Sequence, residues 1–224
     1  MKLLTKLYLY QAKGIARLIA FDGKALVADE MGLGKSVQSI GYYVHAAPRY
    51  PNRPAVVVGP AGLRYNWQNE FRIHAGVAVC ILEGRKAKPA TVDPTAKVYV
   101  IGYEILGKAT DPESWAYYLK KRRPFLIVVD ECHKLKSRST AQTKNVFALG
   151  KRIPHRIPMS GTPVVNRPAE LWPSLHLARP DLYPSFRAFA DKHCRPERKP
   201  WGWEFKGAER LDELHADLTL TMMI

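Results

Sequence analysis

The sequence predicts an α/β fold, a doubly wound parallel sheet with helices on both faces. Short runs rich in Val, Ile and Leu alternate with segments whose apolar residues recur at helical spacing. The apolar runs are continuous, which is typical of parallel strands covered on both faces. Glycine-rich and acidic motifs directly follow two of the runs. Ligand sites of such sheets lie at the carboxyl ends of the strands, so we expect the functional site there.

The composition indicates a globular chain with a polyanionic partner. The 224 residues suffice for one large domain or one domain with an appendage, and no run approaches the ~18 apolar residues of a membrane span. Three cysteines without a Cys-x-x-Cys pair favour a reducing compartment over a disulfide frame or a zinc site. The net charge of +15 suggests nucleic acid as partner, and a merely soluble basic surface is the alternative.

Helices and strands alternate through the first half of the chain. Residues 2–21 have the pattern of one or two amphipathic helices, and residues 24–28 that of a buried strand before a glycine-rich turn. A helix over 34–47 is expected to end near Pro48. The next continuous apolar runs predict strands at 54–60, 77–82 and 97–103. The helix that begins at residue 61 has one apolar face, formed by Leu63, Trp67 and Phe71.

The second half continues this alternation. Asp111 is the expected N-cap of a helix that ends in the basic run 120–123, where positive charge suits a helix C-terminus. Strands are predicted at 125–129 and 157–163, on either side of a helix from Thr140 to Leu149. The remaining helical segments are residues 166–190, with a kink or break at Pro173, and about 208–218, after a change of character at 195–207.

A phosphate-binding loop is the motif that organises the chain. It reads Asp29-Glu30-Met31-Gly32-Leu33-Gly34-Lys35-Ser36, between a strand and a helix. Backbone N–H groups and the helix N-terminus would face the phosphates, with Lys35 as a point charge and the Ser36 hydroxyl on Mg²⁺. Asp29 stands where the generic pattern has glycine, so a chance glycine-rich turn is the alternative.

Paired carboxylates follow the strand at 125–129. Asp130 could hold Mg²⁺, usually through water, and Glu131 could polarise an attacking water. The alternative is a strand end with two solvated acids. The phosphate-binding loop earlier in the chain favours the functional interpretation.

Four stretches together resemble one family over nearly the whole chain. This family is the Swi/Snf-type superfamily 2 ATPases, and the likeness is to their first RecA-like helicase lobe. Asp29 is then the family's own form of the loop rather than a flaw. The stretches resemble motif I, motif Ia, the DExH box and motif III with its sequel, and they are residues 29–36, 60–71, 130–136 and 160–172.

The resemblance implies ATP and Mg²⁺ as cofactors and a role for each matching residue. Lys35, Asp130 and Glu131 would be catalytic, with Glu131 as general base, and Ser36 and Asp130 would hold Mg²⁺. The nucleotide would contact Gln11 at the adenine edge and then Asp29, Met31, Gly32, Leu33, Gly34, Lys35 and Ser36. Coupling to the nucleic-acid face would fall to His133, Ser160 and Thr162. Contacts with nucleic acid would come from Gly62, Arg64, Tyr103 and Lys136. Cys132 is expected to be a packing residue, because neighbouring acids raise its pKa.

A narrower likeness lies near the C-terminus. Pro200-Trp201-Gly202-Trp203 resembles the annealing-helicase, HepA-related fork-remodelling branch of the family. The alternative is a surface hairpin that packs two tryptophans into a small satellite core.

The resemblance implies that residues 1–180 form the ATP-binding lobe and that 181–224 are a helical extension towards an absent second lobe. The function would be that of a DNA-dependent ATPase that translocates on or remodels duplex or branched DNA. Its partners would be DNA and a second RecA-like lobe in the same or another chain, with no membrane. Without the arginine finger of that lobe, the chain alone is expected to be nearly inactive.

Two other functions stay open. One is a nucleotide-gated DNA-binding or docking module without turnover, and the other is an RNA-directed helicase. The expected location is the cytoplasm or nucleoid in a prokaryote or virus, and the nucleus in a eukaryote.

Overall fold

A five-stranded parallel sheet forms the centre of the protein, for which a computed structural model describes residues 1–161 and 167–221. The strand order is β2-β3-β1-β4-β5, and all neighbours in it are parallel. The α/β prediction is therefore confirmed. The strands are β1 (Ala55–Gly59), β2 (Val79–Ile81), β3 (Val98–Gly102), β4 (Leu126–Val129) and β5 (His155–Pro158).

Residues 24–27 extend the sheet beside β5. They pair through two isolated parallel bridges, Lys24 with Arg156 and Val27 with Met159. The Val27 N–H donates to Pro158 O at 2.9 Å, and the Ser160 N–H donates to Val27 O at 3.0 Å. The predicted strand is therefore a short edge segment, and it delivers the chain to the phosphate-binding loop at the same end of the sheet as β5.

Helices cover both faces of the sheet. Alternation along each strand sends Val56 and Val58 of β1 into one core and Val57 into the other. The first three helices pack on the Val57 side and the later ones on the opposite side. The helices are α1 (Leu9–Ala20), α2 (Lys35–Ala46), α3 (Arg64–Ala75), α4 (Trp115–Lys121), α5 (Ala141–Gly150), α6 (Pro168–Ala178), α7 (Phe186–His193) and α8 (Leu211–Thr221).

The C-terminal elements share the larger core. Phe189 of α7 and Leu214 and Leu218 of α8 belong to the same buried cluster as the strand residues Val56 and Ile127. Between these helices lies an antiparallel hairpin, formed by β6 (Glu197–Lys199) and β7 (Gly202–Glu204). In the described ranges, no helix has the length and apolar character needed to cross a bilayer.

The start of α4 differs from the predicted one. Its N-cap is Ser114, whose Oγ accepts a hydrogen bond from the Tyr117 N–H at 3.1 Å. The same hydroxyl donates to Lys108 O at 2.5 Å, so a nearly buried side chain is satisfied in both directions. Asp111 was expected at this position. It lies in the preceding turn instead, where its Oδ1 accepts from the Glu113 N–H at 3.0 Å.

The break expected at Pro173 lies elsewhere. Helix α6 continues through Pro173, and the helical segment is interrupted between Ala178 and Phe186, where Pro180 and Pro184 stand. A proline removes one hydrogen bond within a helix, and eight of the helix's residues, Pro173 among them, are buried. Packing of this helix against the sheet therefore outweighs the local cost.

We expect that Ser114→Ala lowers the free energy of unfolding by about 1–2 kcal/mol, because it removes the N-cap hydrogen bond from the Tyr117 N–H and the hydrogen bond of the hydroxyl to Lys108 O. Asp111→Ala is the matched control, and its exposed position predicts a loss of about 0.5 kcal/mol or less. Urea unfolding followed by circular dichroism measures both. A larger loss for Asp111→Ala would contradict the assignment of the cap.

Candidate nucleotide-binding site

The motifs predicted to bind nucleotide meet at one edge of the sheet. The phosphate-binding loop follows the edge segment, Asp130 follows β4, and Ser160 and Gly161 follow β5. Gly59 ends β1, and a Cβ built on it would lie 3.2 Å from Asp130 Cβ. Because all strands are parallel, their carboxyl ends share this edge.

The phosphate-binding loop ends in a helix N-terminus. Gly34 is the N-cap of α2 in the left-handed region, with φ of +78°, and Gly32 has φ of +83°. These values favour glycine at both positions. Lys35 begins the helix, and its Nζ donates to the Asp29 and Glu30 carbonyl oxygens at 2.8 Å each. The loop therefore places backbone N–H groups and a cation at one point, which is the arrangement that binds phosphate.

The Asp29 carboxylate accepts a hydrogen bond from Gln38, for which the sequence pattern predicted no role. Gln38, buried on α2, donates from Nε2 to Asp29 Oδ2 at 2.5 Å. Asp29 thus attaches the start of the loop to α2, the helix that follows the loop. The only signal in the sequence was a glutamine among the apolar residues that follow Lys35 on the same helix.

Gln11 contacts the loop from α1. Its Nε2 donates to Leu33 O at 3.3 Å, and its Oε1 accepts from the Tyr8 N–H at 3.1 Å. A Cβ on Gly34 would lie 2.5 Å from Gln11 Nε2, so the amide packs closely on the loop. This places Gln11 beside the phosphate-binding residues, although its predicted contact with adenine stays a prediction.

Asp130 is fixed from several directions. Its Oδ2 accepts from the Trp67 indole N–H and its Oδ1 from the Glu131 backbone N–H, both at 2.9 Å. The Tyr103 hydroxyl donates to the Asp130 carbonyl oxygen at 2.7 Å. Burial raises the pKa of the Asp130 carboxyl above its ordinary value, and the Trp67 hydrogen bond and the Lys35 charge oppose that increase.

Trp67 was predicted only as part of an apolar helix face. It is buried in the core as expected, and its indole N–H also reaches a carboxylate 63 positions away in the sequence. Helical spacing identified the face but not this partner. The tryptophan is therefore both a core residue and a positioning residue for Asp130.

Glu131 and His133 form the next layer of the site. Glu131 has a left-handed backbone conformation, with φ of +50°, which is uncommon for a residue other than glycine. The His133 Nδ1 lies 3.1 Å from Glu131 Oε2 and 3.0 Å from the Ser160 Oγ. The imidazole therefore connects the second carboxylate with the end of β5. Thr162, also predicted to couple, and Asn166 lie outside the described residues.

The loop and the two later motifs are in contact. A Cβ built on Gly161 would lie 2.7 Å from Met31 Cγ and 3.5 Å from Lys35 Nζ. The positive charge of Lys35 also lowers the pKa of the Asp130 carboxyl, against the larger effect of burial. Residues far apart in sequence thus converge around Lys35.

Cys132 lies within the box but is fully enclosed. Burial is the largest cause that raises the pKa of its thiol to about 12, with smaller contributions from Glu131 and Asp130. The thiol therefore stays protonated and packs in the core, as the sequence predicted, although burial and not the neighbouring acids is the main reason.

The four residues predicted to contact nucleic acid have different environments. Gly62 and Lys136 are exposed. Arg64 is half-buried and donates to Ala61 O at 2.9 Å and Leu82 O at 3.3 Å. Tyr103 is buried, with its hydroxyl on Asp130, so the structure gives it a positioning contact where we expected a contact with phosphate.

Comparisons with curated proteins find relatives over the whole chain. One is the Xenopus laevis "SWI/SNF-related matrix-associated actin-dependent regulator of chromatin subfamily A-like protein 1", 31% identical over 228 residues. Another is the Bos taurus "DNA annealing helicase and endonuclease ZRANB3", 32% identical over 230 residues. The two matches include 100% and 99% of this chain but only 22% and 21% of the relatives. The chain therefore spans about a fifth of the length of these relatives.

The predicted family and branch are confirmed by these matches and by the fold. The solved "Sulfolobus solfataricus SWI2/SNF2 ATPase core in complex with dsDNA" superimposes with a TM-score of 0.80 at 23% identity, over 100% of this chain and 45% of that one. The RecA-like lobe predicted from the sequence is therefore the observed fold. A family model described as the SNF2-related domain matches residues 10–223. The chain belongs to the SNF2-related family.

Proposed function

We propose that this chain is the ATP-binding lobe of a DNA-dependent ATPase that translocates on or remodels duplex or branched DNA. The observation that carries the proposal is the convergence of Lys35, Asp130 and Glu131 at one sheet edge in a member of the SNF2-related family. The relative named as a DNA annealing helicase and the solved core bound to double-stranded DNA support DNA as partner. The net charge of +15 supports a polyanion as well.

The residues present fit a Mg²⁺–nucleotide complex. Ser36 and Asp130 offer the oxygen ligands that Mg²⁺ prefers, and both Asp130 oxygens are already oriented by N–H donors. Residues 1–161 and 167–221 contain no cluster of three or more His, Cys, Asp or Glu side chains able to hold a metal by themselves. Phosphates and water would therefore complete the coordination. Bound Mg²⁺ would neutralise charge that develops on the phosphate oxygens.

The protein's own groups divide the remaining work. The loop from Asp29 through Met31, Gly32, Leu33 and Gly34 to Ser36 would enclose the phosphates, with Lys35 contributing charge. Glu131 would accept a proton from the attacking water. Its neighbour His133, in contact with Ser160, would report the state of the nucleotide to the rest of the lobe. Gln11 would hold the adenine edge.

A second RecA-like lobe would complete the cleft. This chain matches less than half of the solved ATPase core by length, 45%, which leaves room for a further lobe in the same or a partner chain. We assign residues 1–180 to the ATP-binding lobe and 181–224 to an extension towards the other. DNA as partner implies the nucleus in a eukaryote and the cytoplasm or nucleoid in a prokaryote or virus.

The 224-residue chain alone is expected to bind Mg·ATP weakly and to hydrolyse it hardly at all, because an arginine finger is worth roughly 10³–10⁵ in rate. Equilibrium binding of a fluorescent ATP analogue and phosphate release with and without duplex DNA test this. A DNA-stimulated turnover of about one per second from the chain alone would contradict it.

In a polypeptide that also carries the second lobe, Glu131→Gln should lower DNA-stimulated hydrolysis by about 100-fold or more while ATP binding is retained, because it removes the general base. Glu113→Gln, at an exposed carboxylate paired with Lys86, is the control and should hydrolyse at the normal rate. Retained hydrolysis in Glu131→Gln would rule out the assigned base. No turnover from the unsubstituted two-lobed protein would favour a nucleotide-gated DNA-binding or docking module.

Trp67→Phe should raise the Mg²⁺ concentration needed for tight ATP binding by about tenfold or more, because an outer-shell hydrogen bond to Asp130 is lost while a ring still fills the core. Trp115→Phe is the matched control. Its indole N–H also makes one hydrogen bond, to Gly84 O at 2.9 Å, but in the cluster on the other face of the sheet. Titration of Mg²⁺ at fixed nucleotide analogue measures both variants. An equal change in the required Mg²⁺ concentration for both variants would show that Trp67 acts only through core packing.

A further inference from the structure

The hairpin formed by β6 and β7 exposes two large aromatic side chains. Trp201 stands in its turn with 78% of its surface exposed, and Trp203 on β7 is 49% exposed. The sequence alternative for this stretch was a satellite core that packs both rings. The structure instead leaves them at the surface, although a tryptophan gains more from burial than most side chains.

The fold gives no reason for tryptophan at position 201. The turn is made by Pro200 with Trp201, and Gly202 follows with φ of +134°. Such a turn accepts small polar residues, which would remain soluble. The hairpin is attached through other contacts, chiefly Phe205, whose ring lies edge-on to Phe186 with centroids 4.9 Å apart. The exposed indole is therefore available to a ligand.

Arginine side chains lie beside Trp203 and the neighbouring ring of Phe186. The Arg187 guanidinium lies 4.1 Å from the centroid of the Trp203 ring, and Arg138 lies 4.3 Å from the centroid of Phe186. Arg198 is the cross-strand neighbour of Trp203. Both stacked arginines line an open cleft of about 690 Å³ beside Trp203, and the described residues that line it include no carboxylate. We call this surface, together with Trp201 in the adjoining hairpin turn, the tryptophan–arginine cleft.

Each acidic residue of the hairpin forms an ion pair with the lysine two positions later in the chain. Glu197 pairs with Lys199 at 2.8 Å, and Glu204 pairs with Lys206 at 3.0 Å. Arg187 also has an acidic neighbour, Asp191, on its own helix at 2.9 Å. Arg138 and Arg198 form no ion pair with a described residue, so this surface combines positive charge with flat aromatic faces.

We propose that the tryptophan–arginine cleft binds unpaired nucleotides of DNA. Bases would stack on Trp201 and Trp203, while Arg138, Arg187 and Arg198 would contact the phosphates. Aromatic stacking beside cations is how proteins bind single strands without reading their sequence, since every base has a π-face. Guanidinium groups bind carboxylates and phosphates alike, but the exposed aromatic faces beside them favour a strand that offers phosphates and bases together. The choice of DNA rests on the proposed function.

The cleft is separate from the nucleotide site but close to it in sequence. Arg138 is the fifth residue after His133, which contacts Glu131. The same loop that follows the paired carboxylates therefore ends in the cleft. Occupation of the cleft by a strand would act directly on this loop.

The test measures binding of a fluorescently labelled oligodeoxythymidine to the 224-residue chain by anisotropy, at low salt. Trp201→Ala should weaken binding by about ten- to hundredfold, because stacking of one base is lost at a side chain that is 78% exposed. Trp201→Phe should recover part of the affinity. Lys144→Ala removes an exposed cation from α5 and is the control, expected to bind within about twofold of the unsubstituted chain.

The outcomes separate this proposal from the proposed function. Unchanged oligonucleotide binding in Trp201→Ala, or none by the unsubstituted chain, would overturn the cleft assignment, even if ATP and duplex DNA still bind. Binding of oligouridine but not of oligodeoxythymidine would overturn the choice of DNA. If duplex stimulation of the two-lobed protein is absent while Trp201→Ala still weakens binding of the single strand, the proposed function fails and the cleft stands.

Discussion

The site depends on one constraint, the parallel pairing of all the strands. Parallel strands bring their carboxyl ends to a single edge, so the segments after residues 27, 59, 102, 129 and 158 emerge side by side. Their positions are set by the ladder beneath them, in which β1 lies in the centre between β3 and β4. Chemistry from five distant parts of the chain is thus assembled without a long-range tether.

Asp130 shows how this edge is held together. Its carboxylate meets α3 through Trp67, its carbonyl meets the end of β3 through Tyr103, and its N–H donates to Val58 of β1 at 2.8 Å. Burial of a charged group is costly unless it receives hydrogen bonds, and these donors offset that cost. The raised pKa indicates that the compensation is partial.

The sequence was sufficient for the strands, the phosphate-binding loop and the paired acids, because each is a local pattern. It was insufficient where a side chain has two roles or a distant partner. Spacing placed Trp67 on an apolar face but could not reveal its bond to Asp130. The pattern likewise gave no sign that Gln38 bonds to Asp29 or that the Tyr103 hydroxyl bonds to the Asp130 carbonyl. At Ser114 and Asp111, two residues with equal capping propensity competed, and burial next to Lys108 decided between them.

The attachment of α8 has a mechanical consequence. Its apolar face is buried in the sheet's larger core through Leu214 and Leu218, and near its end Thr219 accepts a hydrogen bond at its carbonyl oxygen from the Arg17 guanidinium of α1. Helix α1 also carries Gln11, whose side chain donates a hydrogen bond to the phosphate-binding loop. Helix α8 is therefore attached both to the sheet and to α1. A displacement of α8 would therefore act on the sheet and also, through α1, on the loop that Gln11 contacts.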